Sequence, residues 1–162
     1  MGAAQSRIGR SGPLTALLIA AAVVAADQLV KLAVRDDLKL GEQRDLPLGF
    51  HLTRLNNDGV AFGLFDDGGA LVTVGVTALG LVGIVLVAAI AGRTKLPWAG
   101  AATALIVAGA IGNLIDRIAL GSVTDYLDPP RWPAFNLADA AISIGVFILV
   151  VALWRSRPED AG

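Results

Sequence analysis

The sequence predicts an all-α polytopic membrane protein, four transmembrane helices with a small β-element at one membrane surface. Of its 162 residues, 55% are hydrophobic and only 17% charged, and the mean hydropathy is +0.67. A soluble single domain of this length would interleave polar surface throughout. Here the apolar residues come instead in four long blocks, with the charges gathered between them. Each block suffices for the roughly 20 helical residues that cross a bilayer.

The expected spans are about 13–34, 70–91, 96–115 and 135–154, within one integral membrane domain covering 1–162. The first is interrupted late by Asp27 and Lys31, and the second carries no charge. The third has Asn113 near its end, and the fourth has Asp139 near its start. Glycine and alanine are abundant in the blocks, as small residues are where helices approach closely in lipid. A cleavable signal peptide ending near Val24-Ala25-Ala26 is the rival reading of the N-terminus, but hydropathy continues past it to Val34.

Basic residues set the orientation. Arg7 and Arg10 precede the first span, Arg93 and Lys95 lie between the second and third, and Arg155 and Arg157 follow the fourth. Both termini are therefore expected in the cytoplasm, with 35–69 and 116–134 outside. In the first external segment Phe50-His51-Leu52-Thr53 alternates as a half-exposed strand does, between turn residues Gly41, Pro47 and Gly49. The second, with Pro129, Pro130 and Pro133, is expected to be a stiff loop. Residues 1–12 and 156–162 are expected to be disordered.

Composition narrows the chemistry. There are no cysteines and one histidine, His51, which excludes thiolate chemistry and a multi-histidine metal site. A net charge of −1 offers no field for nucleic acid. Carboxylates, hydroxyls, amides and Lys/Arg remain.

Their placement is informative. Asp27, Lys31, Asn113, Asp116, Arg117, Asp125, Asn136 and Asp139 all fall at the outer ends of spans or just beyond. Asp27 shares a helical face with Lys31, Asn113 with Arg117, and Asn136 with Asp139. Blander readings exist for most. Lys31 can snorkel with Asp27 as its partner, Arg117 can be an interfacial anchor, and Asn113 can bond a neighbouring helix. Asp125 alone would be an ordinary solvated acid, and His51 a polar strand residue. Asp139 resists dismissal, because apolar residues follow it for a whole span and a carboxylate there needs a partner or a proton. Two carboxylates brought together share one proton. The ionised member then serves as general base towards water, and the protonated member as general acid.

Five stretches in order resemble the motifs of bacterial lipoprotein signal peptidases: Asp27–Lys31, Asn57–Gly63, Gly109–Arg117, Gly121–Tyr126 and Phe135–Asp139. The resemblance implies a four-span aspartic endopeptidase with an extracytoplasmic β-cradle and a short surface helix or flap. It would cleave prolipoproteins just before a diacylglyceryl-modified cysteine. It makes Asp125 and Asp139 the catalytic pair and places Asn57, Asn113, Arg117 and Asn136 around substrate or pair. Asp27 and Lys31 would support the site, and Asp116 would brace the Arg117 region. No cofactor or metal is implied. The expected partners are the lipid-modified prolipoprotein and membrane lipid, with the enzyme a monomer in the cell inner membrane. Val60 stands where alanine is common, and the compact segment Asp128–Pro133 leaves the flap's length open.

Two rivals come from other classes. An ion- or proton-coupled transporter would favour charges near the midplane and an internal repeat, whereas the acids here lie at one end and no repeat is present. A non-catalytic membrane subunit would use the polar cluster as helix glue alone. Other intramembrane aspartic proteases usually carry Gly-x-Gly-Asp, absent around Asp125 and Asp139.

Overall fold

The computed structural model describes residues 12–58, 83 and 98–155. Within them three apolar helices run alongside one another: α1 (Pro13–Asp37), α2 (Ala99–Leu120) and α3 (Leu137–Arg155), each long and apolar enough to cross a membrane. They correspond to the expected first, third and fourth spans. The expected second span, 70–91, lies outside the described residues apart from Gly83, as do the expected disordered tails apart from Gly12.

Most of the large apolar side chains on these helices face outwards, among them Leu14, Leu17, Leu18, Ile118, Phe147 and Val150. That is the distribution of a lipid-facing surface rather than a soluble one. Between helices the contacts are small. A Cβ on Gly145 would come within 2.7 Å of the Ala102 carbonyl oxygen, and one on Gly109 would overlap the Ala138 carbonyl. Glycine at these two points lets α2 and α3 pack backbone to backbone, with Ala102, Ile106 and Leu149 as their shared core.

At the C-terminal ends of α1 and α2 lies a three-stranded antiparallel sheet in the order β1 (Gln43–Asp45), β2 (His51–Asn57), β3 (Val123–Asp128). Asp45 pairs with His51, and His51 with Asp128. A register shift between Leu52 and Leu55 then brings Asn57 opposite Val123. Val34 of α1 and Leu38, the residue that follows its last turn, pack on Tyr126 of β3. Arg54 on β2 ties sheet to helix, its guanidinium donating to the carbonyls of Arg35 and Leu38 at 2.8 and 3.0 Å. Those are carbonyls a helix end leaves open.

Two expectations need correction. The segment after the third span is not simply a stiff loop: α2 continues five residues past Ile115 to Leu120, and β3 follows. The helix runs on because the charge that suggested its end, Asp116, is buried and neutralised by Lys31 and Arg35. Gly121, at φ 79°, then closes it, its N–H donating to the Arg117 carbonyl at 3.0 Å. The strand expected around 50–53 is present and longer, reaching Asn57. Residues 59–69 of the first external segment lie outside the described residues.

Candidate active site

The start of α3 organises the site. Asn136 is its N-cap and Asp139 the third helical residue, and the two cap each other. The Asp139 N–H donates to Asn136 Oδ1 at 3.0 Å, and the Asn136 N–H donates to Asp139 Oδ2 at 3.3 Å. This is the reciprocal arrangement of a capping box, with Asn and Asp in place of the usual Ser/Thr and Glu. The next free amides are also satisfied. Leu137 N–H donates to the Tyr126 hydroxyl at 3.0 Å, Ala138 N–H to Asp27 Oδ1 at 2.9 Å, and Ala140 N–H to the Asn136 carbonyl at 3.2 Å. The positive end of the helix dipole thus faces Asp139 and Asp27.

Asn136 also reaches the second carboxylate, its side-chain amide donating to Asp125 Oδ1 at 2.7 Å. Asn57, at the end of β2, donates to Asp125 Oδ2 at 2.9 Å. Asp139 Oδ1 accepts from Asn113 on α2 at 2.7 Å. The two aspartates are therefore neighbours joined through one asparagine, and each is held by amides from separate elements. Burial pushes the Asp125 carboxyl above its ordinary 3.8. The Asn57 hydrogen bond opposes that shift, and the nearby Asp139 charge adds to it. Burial also raises Tyr126, to about 12, so its hydroxyl stays protonated.

Behind the pair sits a buried cation. Lys31 is fully buried, and its ammonium donates to Asp27 Oδ2 at 2.9 Å, Asn113 Oδ1 at 3.0 Å and Asp116 Oδ2 at 3.3 Å. Three donors meet three acceptors, which is what a buried ammonium requires. Asp116 passes the restraint on, accepting from the Thr124 N–H at 2.9 Å, directly before Asp125. Gly112 is needed for this packing, because a Cβ there would sit 2.6 Å from Asp27 Oδ2.

Two neighbouring carboxylates held by amides at the end of a helix bundle are an arrangement that can support general acid–base chemistry. The comparisons agree. The family model described as signal peptidase (SPase) II matches residues 19–155. The chain belongs to the signal peptidase II family. It is 45% identical over 137 residues to the lipoprotein signal peptidase of Moorella thermoacetica, covering 82% of this chain and 88% of that one. It is 40% identical over 159 residues to that of Syntrophus aciditrophicus, covering 92% and 98%. A solved bacterial membrane enzyme superposes with a TM-score of 0.73 at 27% identity, over 95% of this chain and 98% of the other. As a member of this peptidase family the chain is a hydrolase and a membrane protein, and the transporter reading falls away.

The structure gathers Asp27, Lys31, Asn57, Asn113, Asp116, Asp125, Asn136 and Asp139 into one network. Arg117 stands apart: among the described residues no hydrogen bond or ion pair joins its side chain to either aspartate. Asp116 turns towards Lys31, Arg35 and Thr124 rather than towards Arg117. Three participants, Gln28, Arg35 and Tyr126, carried no role in the sequence reading. Gln28 donates to the Gly112 carbonyl at 3.0 Å and to Asp27 and Asp116 at 3.2 and 3.3 Å. Arg35 donates to the Thr124 hydroxyl at 3.1 Å, and Tyr126 caps α3. Arg35 follows Lys31 by one helical turn, a spacing that places it on the same face.

Proposed function

We propose that this chain is an aspartic endopeptidase that removes signal peptides from diacylglyceryl-modified prolipoproteins, cutting just before the lipidated cysteine with Asp125 and Asp139. The observation that carries the reading is Asn136, which hydrogen-bonds both carboxylates and so holds them as one unit. The relatives named lipoprotein signal peptidase support the substrate class.

In this reading the ionised aspartate takes a proton from water as the oxygen attacks the scissile carbonyl. The protonated partner donates to the carbonyl oxygen. Collapse of the tetrahedral intermediate breaks the C–N bond, the proton taken from water goes to the leaving amine, and the partner recovers its proton from a hydroxyl of the intermediate as the C=O re-forms. No metal or cofactor takes part.

In the same reading the pair lies at the extracytoplasmic face, both termini are cytoplasmic, and the enzyme acts as a monomer in the inner membrane. The parallel courses of α1 and α2, which both bring their C-terminal ends to the site, support four spans in all. A transmembrane signal helix with a lipid attached would present its scissile bond at that depth, with the acyl chains still in the bilayer.

Cleavage of a diacylglyceryl precursor by Asp125→Asn and Asp139→Asn tests the proposal. Each should abolish turnover in a folded protein, and the double variant should be scarcely worse than either single. Turnover by Asp125→Asn within a few fold of wild type would refute the mechanism.

A further inference from the structure

Two turns at one end of the sheet carry residues that catalysis does not use. The β1–β2 connection closes with the Phe50 N–H donating to the Pro47 carbonyl at 3.4 Å, and Leu48 and Gly49 between them have φ of 64° and 78°. That is the type I′ pattern, in which the position of Leu48 ordinarily falls to Asn, Asp or Gly. The connection after β3 behaves alike. Trp132 N–H donates to the Pro129 carbonyl at 3.4 Å, and Arg131 has φ 66° at a position where a turn led by proline favours glycine. The turns adjoin, since a Cβ on Gly49 would lie 3.8 Å from Pro130 Cγ. Leu48, Arg131 and Trp98 are the non-glycine residues with positive φ among those described, so two of these three strained positions meet here.

Each turn pushes a large apolar side chain outwards: Leu48 is 90% exposed and Trp132 70%. In water this is unfavourable twice over, in backbone conformation and in exposed apolar surface. Against lipid the second penalty becomes a gain. The chain path puts the turns at the right depth. Trp132 precedes Leu137, the first residue of α3, by only five positions. The 19 residues of α3 rise about 28 Å, close to the roughly 30 Å of a hydrocarbon core. Its start therefore lies at one interface, and Trp154 marks the other, where tryptophan is favoured. The neighbouring charges are mixed, with Arg131 exposed and Asp45 and Asp128 flanking His51. Apolar insertion rather than net charge thus dominates, and zwitterionic lipid suffices.

We infer that the Pro47–Phe50 and Pro129–Trp132 turns form a two-part foot that seats Leu48 and Trp132 in the interfacial lipid of the leaflet beside the sheet. The foot fixes the height of β2 and β3, and with them Asn57 and Asp125, relative to the bilayer.

Tryptophan fluorescence tests this without reference to catalysis. In the full chain carrying Trp98→Phe and Trp154→Phe, Trp132 is the sole tryptophan, since the sequence has three. In phosphatidylcholine vesicles, lipid brominated near the top of the acyl chain should quench at least half of its emission, and aqueous iodide little. A second chain with Leu48→Trp and all three native tryptophans changed to Phe should behave alike. Quenching by iodide but not by brominated lipid at either position would overturn the foot. So would quenching by neither, which would mean that protein covers the turns.

Discussion

Lys31 donates to Oδ1 of Asn113 at 3.0 Å and thereby fixes which end of that amide faces Asp139. With its oxygen engaged, Asn113 can only donate towards the carboxylate. Asn113→Ala removes that donor but keeps the ion pairs of Lys31 with Asp27 and Asp116. Turnover should fall on the order of 100-fold, about 2.7 kcal/mol of barrier, and the acceptor lost to the buried Lys31 ammonium should cost about 1–3 kcal/mol of stability. Lys31→Met instead leaves the buried Asp27 without its cation and Asp116 with Arg35 alone, and should destabilise the fold by roughly 3–5 kcal/mol. Leu105→Ala should leave turnover nearly unchanged. Kinetics and thermal unfolding on the three variants separate the effects; equal losses in all would contradict this assignment.

Gly109→Ala should be far more damaging than its size suggests. The added methyl meets the Ala138 carbonyl and, at 2.8 Å, Ile142 Cγ1, so α2 and α3 must part. A loss of about 1–3 kcal/mol is expected, with activity falling too because Ala138 adjoins Asp139. Gly121→Ala, where nothing lies within 4 Å, should cost only the roughly 1–2 kcal/mol of a left-handed backbone and retain turnover. Melting temperatures and cleavage rates in one detergent would check both.

Burial sets the sign of a pH effect at Asp125. Its folded pKa lies above the ordinary 3.8, so the carboxyl's contribution to stability is fully present below that value. It is lost as pH rises through the folded pKa. Asp125→Asn cannot titrate. The melting temperature of the variant minus that of wild type should therefore increase from about pH 4 to about pH 7, whatever the constant cost of facing an amide towards Asn57 and Asn136. A difference that shrinks over that range would show the carboxyl to be stabilised as the anion.

Topology is checked by labelling. A single cysteine at Gly41, in an exposed turn, should react with an impermeant thiol reagent in intact spheroplasts, whereas one at Arg155 should require lysis. Reaction of both from the same side would contradict the proposed orientation.

Much of this was legible in the residues because membranes leave few reasons for a charge. The first, third and fourth spans follow from apolar runs, and the polar cluster from Asp27, Lys31, Asn113, Asn136 and Asp139 standing where lipid should be. What hydropathy misread was the continuation of α2. A charged Asp116-Arg117 pair looks like the end of a span unless its neutralising partners, 81 and more positions away, are known. Strand β3 was hidden for a related reason. Val123, Thr124 and Tyr126 favour extended chain, but the prolines after them suggested a loop, and the pairing partner Asn57 is remote in sequence. Arg117 shares the Asn113 face by spacing, yet among the described residues its side chain makes no bond to either aspartate, so spacing alone does not tell which partner such a residue serves.

The capped start of α3 has a consequence for how the protein comes into being. Its first amides are received by Tyr126, Asn136 and Asp27, the last across 111 positions of chain. The turn bearing Asp139 is therefore complete only when α3 has entered the membrane and met α1. A nascent chain still missing that helix holds Asp125 without its partner and without the asparagine that joins them. In the proposed mechanism, hydrolytic competence then arrives only with α3, and a molecule not yet carrying it is harmless to the membrane proteins around it.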